Sequence, residues 1–181
     1  MRGKYANHSP GRWLAAWAAA IILVLGPLIA AAQPLRIGPI SGLPLPRFVS
    51  LKSDQVNVRR GPQETYDVAW TFVKVGLPVE VIEEYDTWRQ IRDSDGEVGW
   101  VFHSLLAGKR TALVAPWLTE PVDLRRNPQA DAAVVARLEP KVLGDLLACR
   151  DNWCRLRGPG FDGWLPQDRL WGVYPGEVFD D

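Results

Sequence analysis

Reactive side chains are scarce in this chain of 181 residues, which has two cysteines, two histidines and one methionine. A structural zinc site usually takes four Cys or His ligands, so Cys149 and Cys154 do not supply one. A thiol peptidase needs a free thiolate beside a histidine. Outside the N-terminal segment only His103 is available, and it sits in the motif "WVFHSLL". No glycine-rich phosphate loop or dinucleotide fingerprint occurs, and no pair of acids stands in a hydrolase-like context. The expectation is therefore no catalytic residue, no metal and no cofactor. Charge of one sign is also missing, because 21 Lys and Arg face 21 Asp and Glu. Nucleic-acid binding needs a clustered basic footprint, and none is present. Helical stretches are nearly absent: "HSLLAG" (His103 to Gly108) and "QDRLWG" (Gln167 to Gly172) suit single 3₁₀ turns.

Only one long apolar run exists, "WLAAWAAAIILVLGPLIAAA" from Trp13 to Ala32, preceded by Arg2, Lys4 and Arg12. A charged start, an apolar middle and an Ala-x-Ala end read as a secretory signal over residues 1–32, cleaved after Ala32. An uncleaved N-terminal membrane anchor is the alternative, since the run is near the roughly 20 residues that span a bilayer. Gly26-Pro27 argues against a continuous spanning helix, because proline lacks the backbone donor. Removing Arg2, Lys4 and Arg12 from the 21 basic residues leaves 18 against 21 acidic ones, a charge of −3. Periplasmic or secreted placement follows as an expectation, in a compartment where disulfides persist. Residues 33–47 carry proline at 34, 39, 44 and 46, a density that favours an extended linker.

Beyond the linker the chain repeats itself. "VNVRRGPQ" (Val56 to Gln63) returns as "VDLRRNPQ" (Val122 to Gln129), "DTWRQIR" as "DNWCRLR", and "VGWVF" as "DGWLP". Trp88 maps to Trp153 and Trp100 to Trp164, so one folding unit is written twice. Short apolar or alternating runs, punctuated by Gly, Pro, Asp and Asn, read as a small antiparallel barrel or sandwich. The motifs "VNVRRGP", "TWRQI" and "GEVGWVFHSLL" resemble the bacterial SH3-like domain, a small five-stranded barrel. The second copy keeps the frame with Asn127 in place of Gly61. The whole chain is similar to exported tandem SH3-like proteins of Gram-negative bacteria. The resemblance implies an all-β fold, two tandem barrels over residues 48–112 and 116–176, joined by a short connector around Ala112 to Pro116. It implies little chemistry.

Gly61 is expected at a turn, with Asn127 substituting as a residue tolerant of positive φ. The glycines before Trp100 and Trp164 are expected to make room for the indole or a neighbouring strand. Arg59-Arg60 and Arg125-Arg126 read either as an anion clamp or as surface arginines contributing little. Two-residue turns at Asp86-Thr87 and Asp151-Asn152 set Tyr85 against Trp88, Glu84 against Arg89 and Ile82 against Ile91. In the second copy they set Arg150 against Trp153, Cys149 against Cys154 and Leu147 against Leu156. The cysteine pair then lies about 4.5 Å apart at Cα, within disulfide range. Glu84 and Arg89 would hold the first hairpin at that place.

This register puts Ile82, Ile91, Leu147 and Leu156 on the core side, and Tyr85, Trp88, Arg150 and Trp153 on the other. Exposed aromatics often carry recognition. Tyr85, Trp88, Trp153 and Arg150 are therefore the candidate ligand-binding residues, with indoles covering the barrel wall as the alternative. Trp117 and Trp171 read as packing residues. "LPLPR" (Leu43 to Arg47) resembles a proline-rich ligand that could occupy its own barrel, although linker is the simpler reading. The function expected is a non-catalytic binding or adaptor module for a peptide, either the peptidoglycan stem or a segment of an envelope protein. An accessory part of a cell-wall hydrolase system and a purely structural adaptor stand as alternatives.

Overall fold

The computed structural model describes residues 36–180. The signal segment, its cleavage after Ala32 and the alternative anchor lie outside the described residues. The regular structure of the described chain is almost all strand. A ribbon of β1 (Arg36–Ile37) and β2 (Pro44–Leu45) comes first. Then follow β3 (Arg47–Leu51), β4 (Val56–Arg59), β5 (Val68–Phe72), β6 (Pro78–Tyr85), β7 (Trp88–Arg92), β8 (Val98–Phe102) and β9 (Leu106–Ala107). The second set is β10 (Thr111–Val114), β11 (Val122–Arg125), β12 (Val134–Leu138), β13 (Leu143–Arg150), β14 (Trp153–Gly158), β15 (Phe161–Pro166) and β16 (Leu170–Trp171). A short β17 (Phe179–Asp180) ends the series. The expected 3₁₀ turns form at His103–Leu105 and Gln167–Arg169.

Each set makes one curled antiparallel sheet, in the order β5-β4-β8-β7-β6-β3-β9 and again β12-β11-β15-β14-β13-β10-β16. The two orders are the same path written twice, as the repeated motifs require. Alternation fills each barrel: Val56 and Val58 are buried with Val79, Val81, Ile91 and Val101 in the first, while Leu124, Leu146, Leu156 and Leu165 serve the second. Gly99 and Gly163 sit where a Cβ would strike the adjacent strand, at Val58 and at Leu124 and the Arg125 carbonyl. Thr111–Val114, at the boundary read as a connector, is instead a strand of the second sheet between β13 and β16.

The central hairpins agree with the expected register near the turn and depart from it farther along. Tyr85 faces Trp88, Glu84 faces Arg89, Cys149 faces Cys154 and Arg150 faces Trp153. Asp151 and Asn152 take φ of 52° and 63°, the conformation of a tight two-residue turn. A bulge then inserts one residue in each long strand, so Val81 faces Ile91 and Leu146 faces Leu156. Ile82 and Leu147, expected to face the core, are the extra residues and remain half-buried. The bulge reverses the alternation, which a strict period of two does not anticipate. Cys149 and Cys154 form a disulfide with Cα atoms 4.1 Å apart.

Residues 36–46 are not an extended linker. The ribbon folds back onto the first barrel, burying Leu45 in its core. The reason is Glu84, whose side chain has no exposed surface. Its carboxylate accepts bonds from the Ile40 and Ser41 amides at 3.0 and 2.9 Å and from the Ser41 hydroxyl at 2.5 Å. The Arg47 guanidinium approaches to 2.9 Å and Arg89 to 3.5 Å. Burial alone would raise the Glu84 pKa, but donation by Ser41, Arg47 and Ile40 prevails and brings it down to about 2. "LPLPR" does occupy its own barrel, through Leu45 in the core and not through an aromatic groove.

Candidate functional site

The four residues singled out from the sequence do not share one surface. Tyr85 is 56% exposed, while its cross-strand partner Trp88 is only 7% exposed. Phe102 covers Trp88 edge-on at 5.6 Å between ring centroids. What remains beside them is a recess of about 260 Å³ of mixed lining, with Asn57, Arg59 and Glu64 set against Trp88, Phe102 and Leu105. Arg59 is spent internally, donating to the Tyr66 carbonyl at 2.7 Å, just as Arg125 donates to Ala132 at 2.7 Å. The first arginine of each pair therefore staples a loop and is not half of a two-arginine clamp. Gly61 serves that loop by admitting the Tyr66 ring, which a Cβ would strike. Its φ is not positive, and neither is that of Asn127. Asn127 is tolerated because Ala132 replaces the tyrosine.

In the second barrel the equivalent ground is open. Pro166 stands where Phe102 stands in the first, so the Trp153 ring is left without an aromatic cover. The turn between β10 and β11 is also three residues longer than its counterpart, and the extra length carries Trp117. Trp117, expected to be a packing residue, is 53% exposed. Trp117 and Trp153 flank a cleft of about 520 Å³ with Pro166, Leu170, Val173 and Pro175 as its apolar lining. Two indoles and an apolar floor suit a partner with non-polar side chains and an extended backbone.

The walls of this cleft are fixed. Ala115 donates its amide to the Arg169 carbonyl at 2.8 Å, and the Leu118 amide closes the turn onto Ala115 at 2.9 Å. Gln167 is buried and bonds the far wall twice, to the Glu177 carbonyl at 2.6 Å and from the Gly176 amide at 2.8 Å. The Gln167 amide itself donates to Asn152 beside Trp153 at 2.8 Å. Such pinning lowers the entropic cost of binding. The sequence signalled Trp153 through the repeat, but Trp117 lies in an insertion outside the repeated motifs and escaped it.

Arg150 faces a different recess, where its guanidinium lies 4.6 Å above the Trp164 ring. Trp171 is a packing residue, as expected, and joins the two barrels edge-on to Phe48. His103 is exposed and leans on Phe102. Asp93 has its pKa raised by burial, and it serves the turn by accepting the Asp95 and Glu97 amides. Among the described residues, no group of three or more His, Cys, Asp or Glu side chains is placed to hold a metal ion.

The model of the bacterial SH3 domain family matches the chain twice, over residues 52–108 and 119–172. No curated protein matches it. Among solved structures, NlpC1 from Trichomonas vaginalis aligns at 12% identity and a TM-score of 0.33, over 69% of this chain and 45% of that one. NlpC2 from the same organism aligns at 14% identity and a TM-score of 0.30, over 70% and 48%. The chain thus spans about half the length of these structures.

Proposed function

Taking as premise that the chain belongs to the bacterial SH3 domain family, as a tandem pair, we propose that it is a non-catalytic binding module of the cell envelope whose second barrel holds an extended peptide. Bacterial SH3 domains are cell-wall binding modules. The observation that carries the reading is the Trp117–Trp153 cleft, concave, apolar and rigidly walled. Indole-lined grooves recognise extended chains by stacking on their flat, low-entropy surfaces. The peptide stem of peptidoglycan is the ligand we favour, in keeping with the disulfide and with the secretory signal expected over residues 1–32. The first barrel, with its equivalent indole covered by Phe102, acts as a support.

Retention on purified peptidoglycan tests this directly. Wild-type protein should sediment with the wall material, and Trp117→Ala and Trp153→Ala should each reduce retention severalfold while circular dichroism stays unchanged. Wild-type protein that remains in the supernatant would exclude the wall peptide and point to a segment of an envelope protein. Release of soluble wall fragments by the purified protein would overturn the non-catalytic reading.

A further inference from the structure

The recess under Arg150 has a chemistry unlike the apolar cleft. It measures about 500 Å³ and is bounded by Arg126, Arg150, Arg155, Asp162, Asn127 and Trp164, among others. Arg155 is held in place by Asp162 through two bonds of 2.7 and 3.0 Å, and Arg157 shares the same carboxylate at 2.9 Å. Three arginines thus line the recess with one acid, and that acid is already engaged by Arg155 and by the neighbouring Arg157. Arg126 and Arg150 have no carboxylate partner among the described residues. Arg150 instead lies over the Trp164 ring, a cation–π contact that leaves its N–H groups available.

The fold does not call for this arrangement. In the first barrel, strand pairing places Tyr85 where Arg150 stands, Gln90 where Arg155 stands and Val98 where Asp162 stands. Arg60 matches Arg126, and Arg92 matches Arg157 but is paired there with Glu80. The same sheet path forms there without the cationic set. Concentrating like charge at one spot costs stability, so its presence in only one copy points to a ligand.

We propose that this recess is a second binding site, taking a phosphate ester. An isolated carboxylate is matched by a single guanidinium fork, and Asp162 already provides one. The unpaired Arg126 and Arg150 call for an oxyanion with more than two acceptor oxygens, which a phosphate has. A recess of this volume is larger than an inorganic ion needs. Asn127 and the remaining polar rim are available to hydroxyls of the esterified body. The site is independent of the peptide cleft, and its ligand could be a soluble ester or the headgroup of an anionic lipid.

Calorimetric titration of the purified protein with glycerol 3-phosphate at low salt is the test. Saturable binding is expected, weaker as ionic strength rises. Arg126→Gln and Arg150→Gln should each weaken it by about tenfold, the loss expected for one charge-assisted contact. Arg60→Gln in the first barrel should leave it unchanged, and so should Trp117→Ala, which separates this site from the peptide cleft. Co-sedimentation with phosphatidylglycerol vesicles, compared between the wild type and the Arg126→Gln/Arg150→Gln variant, assigns the source. A difference identifies a lipid headgroup, and equal sedimentation with glycerol 3-phosphate binding intact identifies a soluble ester. Absence of saturable binding to glycerol 3-phosphate, equal affinity for inorganic phosphate, or insensitivity to the double substitution would overturn the proposal.

Discussion

At the scale of single residues, the two copies of one motif give the same indole opposite duties. Trp88 lies under Phe102 and is almost wholly buried, whereas Trp153 lies beside Pro166 and is half-buried. The surrounding ring, and not the tryptophan, decides which indole can meet a ligand. Trp88→Ala should therefore cost about 3 kcal/mol or more, the usual loss for emptying a buried aromatic site. Trp153→Ala should move the midpoint far less and act on binding instead. Urea unfolding of the two variants side by side measures this, and equal losses would contradict the assignment of roles.

At the scale of elements, what could be read from the sequence ended where local rules ended. The turns Asp86-Thr87 and Asp151-Asn152 fix the pairs nearest them, so the Glu84–Arg89 pairing and the disulfide follow from position alone. Val81 and Leu146 reach the core only because a bulge intervenes, and a bulge answers to the twist of neighbouring strands. The β1–β2 ribbon was opaque for another reason. Its docking depends on Ser41 and Ile40 meeting Glu84 across 43 and 44 residues, a pairing without local signature. Trp117 escaped because an insertion has no second copy for comparison. Glu84 gives the ribbon a pH dependence. Its folded pKa of about 2 lies below the ordinary 4.5, so its contribution is complete above that ordinary value and disappears as pH falls toward 2. The shift corresponds to about 3 kcal/mol. Denaturant midpoints of the wild type should fall across that window, whereas Glu84→Gln should start lower and show a shallower decline.

At the scale of the whole molecule, two barrels of this size are each marginal on their own, and the contacts between them are specific. Trp171 donates its indole N–H to the Pro78 carbonyl at 3.1 Å and meets Phe48 edge-on, and Tyr174 donates to Glu80 at 3.0 Å. Burial and the Glu80 charge both push the Tyr174 pKa up, so the phenol stays a donor at any ordinary pH. Thr111 adds a bond from its hydroxyl to the Gly76 carbonyl at 2.7 Å. These contacts draw on β3, β6 and the turn before it on one side and on β10 and the β16 region on the other, so loosening either barrel loosens the junction. The wild type should therefore melt in one calorimetric transition. Trp171→Ala removes the central ring and its hydrogen bond, and should divide that transition into two. The disulfide then identifies the parts, because it lies only in the second barrel. Reducing it removes about 2 kcal/mol of loop-closure stabilisation. Added reductant should lower one of the two transitions in Trp171→Ala and leave the other in place. A variant that still melts as one unit, or two transitions that shift together, would mean that the barrels are coupled by something other than this aromatic junction.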